Sequence, residues 1–142
     1  LFGGHPVSTA VAVANMQAMH DENIMEHVRS NEDYFAAGME SLVGQFDILR
    51  EKRGVGYFYA LEFMGSRAED RDLNEEETAG LQGGALARMV REAGLLIRPD
   101  DRGATMLTYS PPLIADRTVI DDIIDRSDQV LTRATAWLAG ER

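Results

Sequence analysis

The spacing of apolar residues along this chain predicts four helices and several short strands. Between Pro6 and Asp21 the sequence has no interior glycine or proline and few polar residues, so we expect a long helix that is buried on most faces. A second helix is predicted from Asn23 to about Gly44, because apolar residues recur there at helical spacing. These apolar positions are Met25, Val28, Phe35, Met39, Leu42 and Val43.

Two strand-like segments and a third helix come next. The turn Arg53–Gly56 separates the two segments, and the second is the aromatic, β-prone run from Tyr57 to Met64. Asn74 and Glu77 have the spacing of a capping box, which predicts a third helix that extends to about Ala93.

The last part of the chain predicts two more strands and a long helix. We expect Leu95–Ile97 to be a short buried strand that stops at Arg98, and Thr105–Tyr109 to be another strand. Asp116 is predicted to cap the final helix. The apolar face of that helix comprises Ile120, Ile123, Ile124, Leu131, Ala134 and Leu138. Together these elements predict an α/β chain, in the form of an α+β layer with a small, mostly antiparallel sheet and helices on one face.

Composition and charge narrow the function classes. The chain has 142 residues, of which 44% are hydrophobic, so it can bury a core of ordinary size. Its formal charge is 14 − 24 = −10, which argues against nucleic acid or an anionic membrane as a partner. Cysteine is absent, so no disulfide, thiolate metal site or cysteine nucleophile is expected, and we expect a cytoplasmic protein.

The stretch from Phe2 to Ser8 is the first candidate site. Gly3 and Gly4 allow positive φ and a close approach to the backbone, and Pro6 suits the first turn of a helix. The unpaired N–H groups and the positive dipole of that first turn favour a phosphate. The alternative is an ordinary junction between a loop and a helix.

Arg98 is the second candidate, because it ends an apolar run and is followed by a proline. A guanidinium there could bind a planar carboxylate through two parallel hydrogen bonds. The alternative is a surface arginine that pairs with Asp100 or Asp101. Lys52 is the only lysine and lies in a charged run, so we expect it to be solvated and not a nucleophile.

The histidines give no sign of a metal site. His20 and His27 are seven positions apart, and neither has a ligand partner at the spacing of zinc sites. We therefore expect no metal and place both histidines on the surface. His5 belongs to the opening turn.

Four motifs in this sequence resemble the class III aminotransferases, which are fold-type I pyridoxal-phosphate enzymes that include the ω-amino acid:pyruvate group. Their order and spacing agree over the whole chain. The motifs are Phe2-Gly3-Gly4-His5-Pro6-Val7-Ser8, Arg53-Gly54-Val55-Gly56 with the strand that ends in Glu62, Gly94-Leu95-Leu96-Ile97-Arg98-Pro99, and Ser110-Pro111-Pro112-Leu113 with the Asp116 helix.

The resemblance implies that this sequence is the C-terminal portion of such an enzyme. Residues 1–30 would end the large cofactor-binding domain, and residues 31–142 would form the small C-terminal domain. The cofactor would be pyridoxal 5'-phosphate, and the family's Schiff-base lysine would lie upstream, so no catalytic residue is expected in this chain. The assembly would be a homodimer or tetramer with active sites at the subunit interface.

Two site assignments follow from the same resemblance. The backbone of Phe2 and Gly3 would contact the cofactor phosphate of the partner subunit, although Leu1 stands where the family usually has a threonine. Arg98 would bind the substrate carboxylate. The substrates would be an amine or ω-amino acid and a keto acid such as pyruvate.

Two other functions remain open at this point. A related pyridoxal-phosphate aminomutase, such as a glutamate-semialdehyde aminomutase, would share the scaffold. A non-catalytic small α/β dimerisation or binding module is the alternative from another class, although a nearly all-apolar first helix argues against a free-standing module.

Overall fold

The computed structural model describes residues 3–100 and 103–140. Within these ranges the chain forms helices that we label α1 to α5 and strands that we label β1 to β4. The helices are α1 Pro6–Asp21, α2 Ile24–Gln45, α3 Glu75–Gly80, α4 Leu86–Glu92 and α5 Arg117–Leu138. The strands are β1 Leu49–Val55, β2 Phe58–Phe63, β3 Arg98–Asp100 and β4 Met106–Tyr109.

The four strands form one antiparallel sheet in the order β1-β2-β4-β3. One face of the sheet is buried, because alternate residues such as Leu61 and Leu107 have no exposed surface and belong to the same core cluster as residues of α2 and α5. Phe35 of α2 packs edge-on against Tyr57 and Tyr59, with ring centroids 5.9 and 5.2 Å away. The predicted α/β class and small antiparallel sheet are therefore confirmed, and the opposite face of the sheet is left more exposed.

Local capping signals set the helix starts as predicted. Asn74 accepts a hydrogen bond from the Glu77 N–H at 2.9 Å, and Glu77 accepts one from the Asn74 N–H at 2.8 Å, which completes the capping box. Asp116 caps α5 by accepting from the Val119 N–H at 3.0 Å. The third predicted helix is divided, because a π-helical turn from Leu81 to Ala85 separates α3 from α4.

The first helix has the predicted length but not the predicted burial. No residue of α1 is buried within this chain, and Val7 and Val11 keep 65% and 63% of their surface exposed. Met25, at the start of α2, is also exposed, although the helical spacing predicted it as an apolar position of that helix. The described residues do not supply the surface that would cover α1, and the domain boundary near residue 30 stays a prediction. None of the helices described here is long and apolar enough to span a membrane.

The segment Leu95–Ile97 is not the buried strand that its apolar sequence predicts. The Leu95 N–H donates to the Val90 carbonyl at 3.0 Å, so this residue completes the C-terminal cap of α4 instead of joining the sheet. Leu96 is fully exposed. The strand begins only at Arg98, where pairing with Thr108 of β4 starts.

Candidate active site

The first candidate site lies at the start of α1. Gly4 has φ +80°, and a Cβ at Gly3 or Gly4 would meet no described atom within 4 Å. His5 precedes the helix in an extended conformation, its carbonyl accepts from the Thr9 N–H at 3.0 Å, and no side chain caps the first turn. The N–H groups of that turn are therefore open to a ligand. Phe2, the other predicted phosphate contact, lies outside the described residues.

The second candidate site is a cleft beside β3. Arg98 is the first residue of this edge strand, and its side chain is exposed. The cleft has a volume of about 610 Å³ and is lined mainly by apolar side chains. The lining includes Phe58, Leu95, Ile97, Pro111, Pro112 and Ile123, together with two charged residues, Arg98 and Asp100.

Arg98 is the cation of this cleft. No ion pair between Arg98 and Asp100 is observed, and Asp101, the other partner that the sequence left open, lies outside the described residues. An exposed guanidinium beside apolar walls can bind a carboxylate from a ligand through two parallel hydrogen bonds. The carboxylate-binding role expected of Arg98 stays a prediction.

The chain does not join its two candidate sites into one cavity. No residue of the glycine turn or of α1 lines the Arg98 cleft. Lys52 does not line the cleft either, and it is less solvated than predicted, because its Nζ lies 3.5 Å from a Glu40 carboxylate oxygen and 5.8 Å from the Tyr59 ring centroid.

Two side-chain contacts with the chain after β4 could not be recognised in the sequence. His27, predicted to lie on the surface, is partly buried, and its Nε2 is 2.8 Å from the carbonyl oxygen of Ala115. The hydroxyl of Tyr57 donates to the same oxygen, also at 2.8 Å. These contacts join residues 88 and 58 positions apart, so no local pattern in the sequence could have predicted them.

With this geometry established, comparison with known families identifies the class. The family model for class-III aminotransferases matches residues 1–131. The chain belongs to the class-III aminotransferase family.

Individual relatives agree with this assignment. The chain is 37% identical over 131 residues to "Probable aminotransferase Rv3329" from Mycobacterium tuberculosis. This alignment covers 92% of this chain and 28% of that protein. It is 30% identical over 135 residues to a taurine–pyruvate aminotransferase from Bilophila wadsworthia. That alignment covers 92% of this chain and 28% of the relative. The chain thus spans less than a third of the length of these curated relatives.

A solved structure supports the same fold. The ω-transaminase from Pseudomonas jessenii, crystallised in complex with PMP, superposes with a TM-score of 0.80 at 27% sequence identity. The match covers 96% of this chain and 28% of that protein.

Proposed function

We propose that the protein carrying this sequence is a pyridoxal-phosphate-dependent aminotransferase that moves an amino group from an amine or ω-amino acid to a keto acid such as pyruvate. The active protein is a homodimer or tetramer whose sites lie between subunits. The likeness to a taurine–pyruvate aminotransferase supports pyruvate as the acceptor. A cytoplasmic location stays a prediction from the sequence without cysteine.

The single observation that carries the proposal is the exposed Arg98 guanidinium in an apolar cleft. Keto acids and ω-amino acids carry a carboxylate at one end, and a guanidinium can bind it with two parallel hydrogen bonds. The apolar walls hold the carbon chain of the substrate and reduce the access of water to the ion pair. Arg98 therefore binds and orients the acid substrate, and no described residue of this chain is assigned to proton transfer.

The glycine turn is compatible with the phosphate of the cofactor. Its first-turn N–H groups are uncapped, and the space around Gly3 and Gly4 is free of other atoms of this chain, so a phosphate from a neighbouring subunit can approach the backbone. When bound, pyridoxal phosphate supplies the electron sink that allows an amino group to leave one substrate and join another. Gly3 and the start of α1 would hold the phosphate and orient the cofactor.

Arg98→Ala tests the proposal in the full protein purified with pyridoxal phosphate. Because hydrogen bonds to charged groups contribute about 1.5–3 kcal/mol, we expect kcat/KM for pyruvate to fall about tenfold to a hundredfold. Arg98→Lys keeps the charge but loses the planar geometry, so its loss should be intermediate. The measurement is alanine formation from pyruvate with a panel of amine donors.

Arg133→Ala is the matched control, since it removes an exposed arginine that pairs with Glu92 at 2.8 Å away from the cleft. Its kcat/KM should stay within twofold of the wild type. Wild-type protein that retains no pyridoxal phosphate, or that transfers no amino group to any keto acid, would contradict the proposal. Product that forms without a keto-acid acceptor would instead favour an aminomutase.

A further inference from the structure

One backbone carbonyl beside the cleft accepts two side-chain hydrogen bonds. The oxygen of Ala115 lies 2.8 Å from His27 Nε2 and 2.8 Å from the Tyr57 hydroxyl. Ala115 and Tyr57 are almost completely buried, with 3% and 4% of their surface exposed. A buried carbonyl has two lone pairs, and here both have a donor.

The two donors come from different elements and are themselves fixed. His27 lies in the first turn of α2, where its N–H bonds to the Asn23 carbonyl at 3.0 Å, and Tyr57 lies in the turn between β1 and β2. The His27 and Tyr57 rings meet edge-on with centroids 6.4 Å apart, and Phe35 also packs edge-on against Tyr57. Burial is the main cause that raises the pKa of Tyr57, so its hydroxyl keeps its proton and donates.

The accepting residue ends the segment that walls the Arg98 cleft. Ser110, Pro111 and Pro112 line the cleft, and the Ala115 N–H closes a turn by donating to the Pro112 carbonyl at 2.9 Å. Asp116, the next residue, caps α5. Movement of the Ala115 carbonyl would therefore shift both the wall of the cleft and the start of α5.

We propose that His27 is a positioning residue for the acid substrate, acting with Tyr57 through the Ala115 carbonyl. The two hydrogen bonds fix residues 110–115, and this fixed wall holds the carbon chain of an acid whose carboxylate is bound by Arg98. The inference rests on the proposed function, because it assumes that the cleft binds the acid substrate. A substrate amine without a carboxylate forms no ion pair with Arg98, so its binding does not require that the wall be held in register with the guanidinium.

The test compares His27→Ala with His27→Gln in the full protein purified with pyridoxal phosphate. The glutamine amide nitrogen can occupy the position of Nε2 and donate to the same carbonyl. Pyruvate is the acid probe and benzylamine is the carboxylate-free probe, and kcat/KM is measured for each separately. Hydrogen exchange of the amides between residues 113 and 119 provides a readout that does not depend on activity.

We expect His27→Ala to lower kcat/KM for pyruvate about fivefold to tenfold, mainly through KM, in line with the loss of one net hydrogen bond. For benzylamine the change should stay within twofold. Exchange at residues 113–119 should accelerate at least threefold, and His27→Gln should restore both values towards the wild type. Tyr57→Phe, which removes the second donor, should show the same pattern.

His20→Ala and Tyr34→Phe are the matched controls. His20 is an exposed histidine of α1, and the Tyr34 hydroxyl donates to Asp121 at 2.6 Å between α2 and α5, away from the cleft. Neither should change the ratio of the two kcat/KM values.

The outcomes separate this inference from the proposed function. Wild-type protein that transfers no amino group to pyruvate would overturn the proposed function, and this inference would fall with it. An active wild type with equal losses for both probes, or faster exchange with no loss for pyruvate, would show that His27 is only structural and would overturn this inference alone.

Discussion

Helices α1 and α5 differ in a way that their hydrophobicity does not predict. Helix α1 contains one acidic side chain, Asp21, and no arginine or lysine, whereas α5 contains seven charged residues among its 22. Yet no residue of α1 is buried within this chain, and α5 buries a stripe in the core. The buried residues of α5 are Ile120, Ser127, Val130, Leu131, Ala134 and Trp137.

The difference shows that burial depends on a one-sided stripe and a surface that matches it. In α5 the apolar residues recur on one side and face α2 and α4, while charged residues keep the other side in water. In α1 the apolar residues surround the helix, so one contact with α2 cannot cover them. A helix that is apolar on most faces is typical of a position between two domains or subunits. This agrees with the subunit interface proposed for the first turn of α1.

The largest expected effect is on the free energy of unfolding, when one apolar side chain is truncated in each of the two helices. Leu131→Ala removes a side chain with no exposed surface, so the free energy of unfolding of this 142-residue chain should fall by about 2–5 kcal/mol. Val11→Ala, the control in α1, should change it by less than about 0.5 kcal/mol, because Val11 is 63% exposed. Chemical denaturation measures both, and a large loss at Val11 would mean that self-association covers α1.

Glycines with positive φ allow a second comparison between the packed core and the open start of α1. Gly54 has φ +139°, and a Cβ there would lie 2.0 Å from the Phe58 carbonyl oxygen, so Gly54→Ala should destabilise the chain by about 1–3 kcal/mol. Gly4→Ala, at the open start of α1, should cost only about 1 kcal/mol, the lower end of the penalty for a side chain at positive φ, because no described atom lies within 4 Å of the added Cβ. Equal losses in thermal unfolding experiments would contradict the comparison.

Two buried tyrosine hydroxyls test the packed core without involving α1. Tyr57→Phe removes a hydrogen bond to the Ala115 carbonyl and should cost about 0.5–1.5 kcal/mol. The Tyr109 hydroxyl is buried and makes no hydrogen bond of normal geometry with a described residue. Burial raises its pKa, and the neighbouring Ser127 hydroxyl offsets this only in part, so Tyr109→Phe should be neutral within about 0.5 kcal/mol or slightly stabilising. Urea denaturation of the two variants measures the difference, and a greater loss for Tyr109→Phe would reverse the assignment.

The smallest expected effect is the acid dependence of the capping box. The hydrogen bond from Arg71 is the main cause that lowers the pKa of Glu77 below its ordinary value of 4.5. Because the folded pKa is the lower one, this carboxylate stabilises the fold above pH 4.5, and the contribution is lost as the pH falls through the folded pKa.

Glu77→Gln keeps a capping side chain but removes the charge. We expect a loss of a few tenths of a kcal/mol at neutral pH and a weaker fall of stability below pH 4.5. Thermal unfolding at several pH values measures this slope. An unchanged slope in the variant would show that the pair with Arg71 contributes nothing.

Part of the candidate site could be predicted because its signals are contained in short sequences. The Gly3-Gly4 turn leads into a helix at Pro6 as predicted, whereas Arg98 begins β3 instead of ending a buried strand. The cleft around Arg98 could not be predicted, since its walls come from β2, the chain between α4 and β3, the segment after β4, and α5. The hydrogen bond of His27 to Ala115 could not be predicted either, because it also joins distant parts of the chain.

The sequence alone determined where α1, α2, α3 and α5 begin, the caps at Asn74 and Asp116, and the small antiparallel sheet, because these depend on residues a few positions apart and on simple alternation. Only the tertiary structure decided that Leu96 is exposed, that α1 is uncovered in this chain, and that His27 and Tyr57 share one carbonyl. Those outcomes depend on which surfaces meet after the chain folds, and contacts across 58 or 88 residues leave no local pattern.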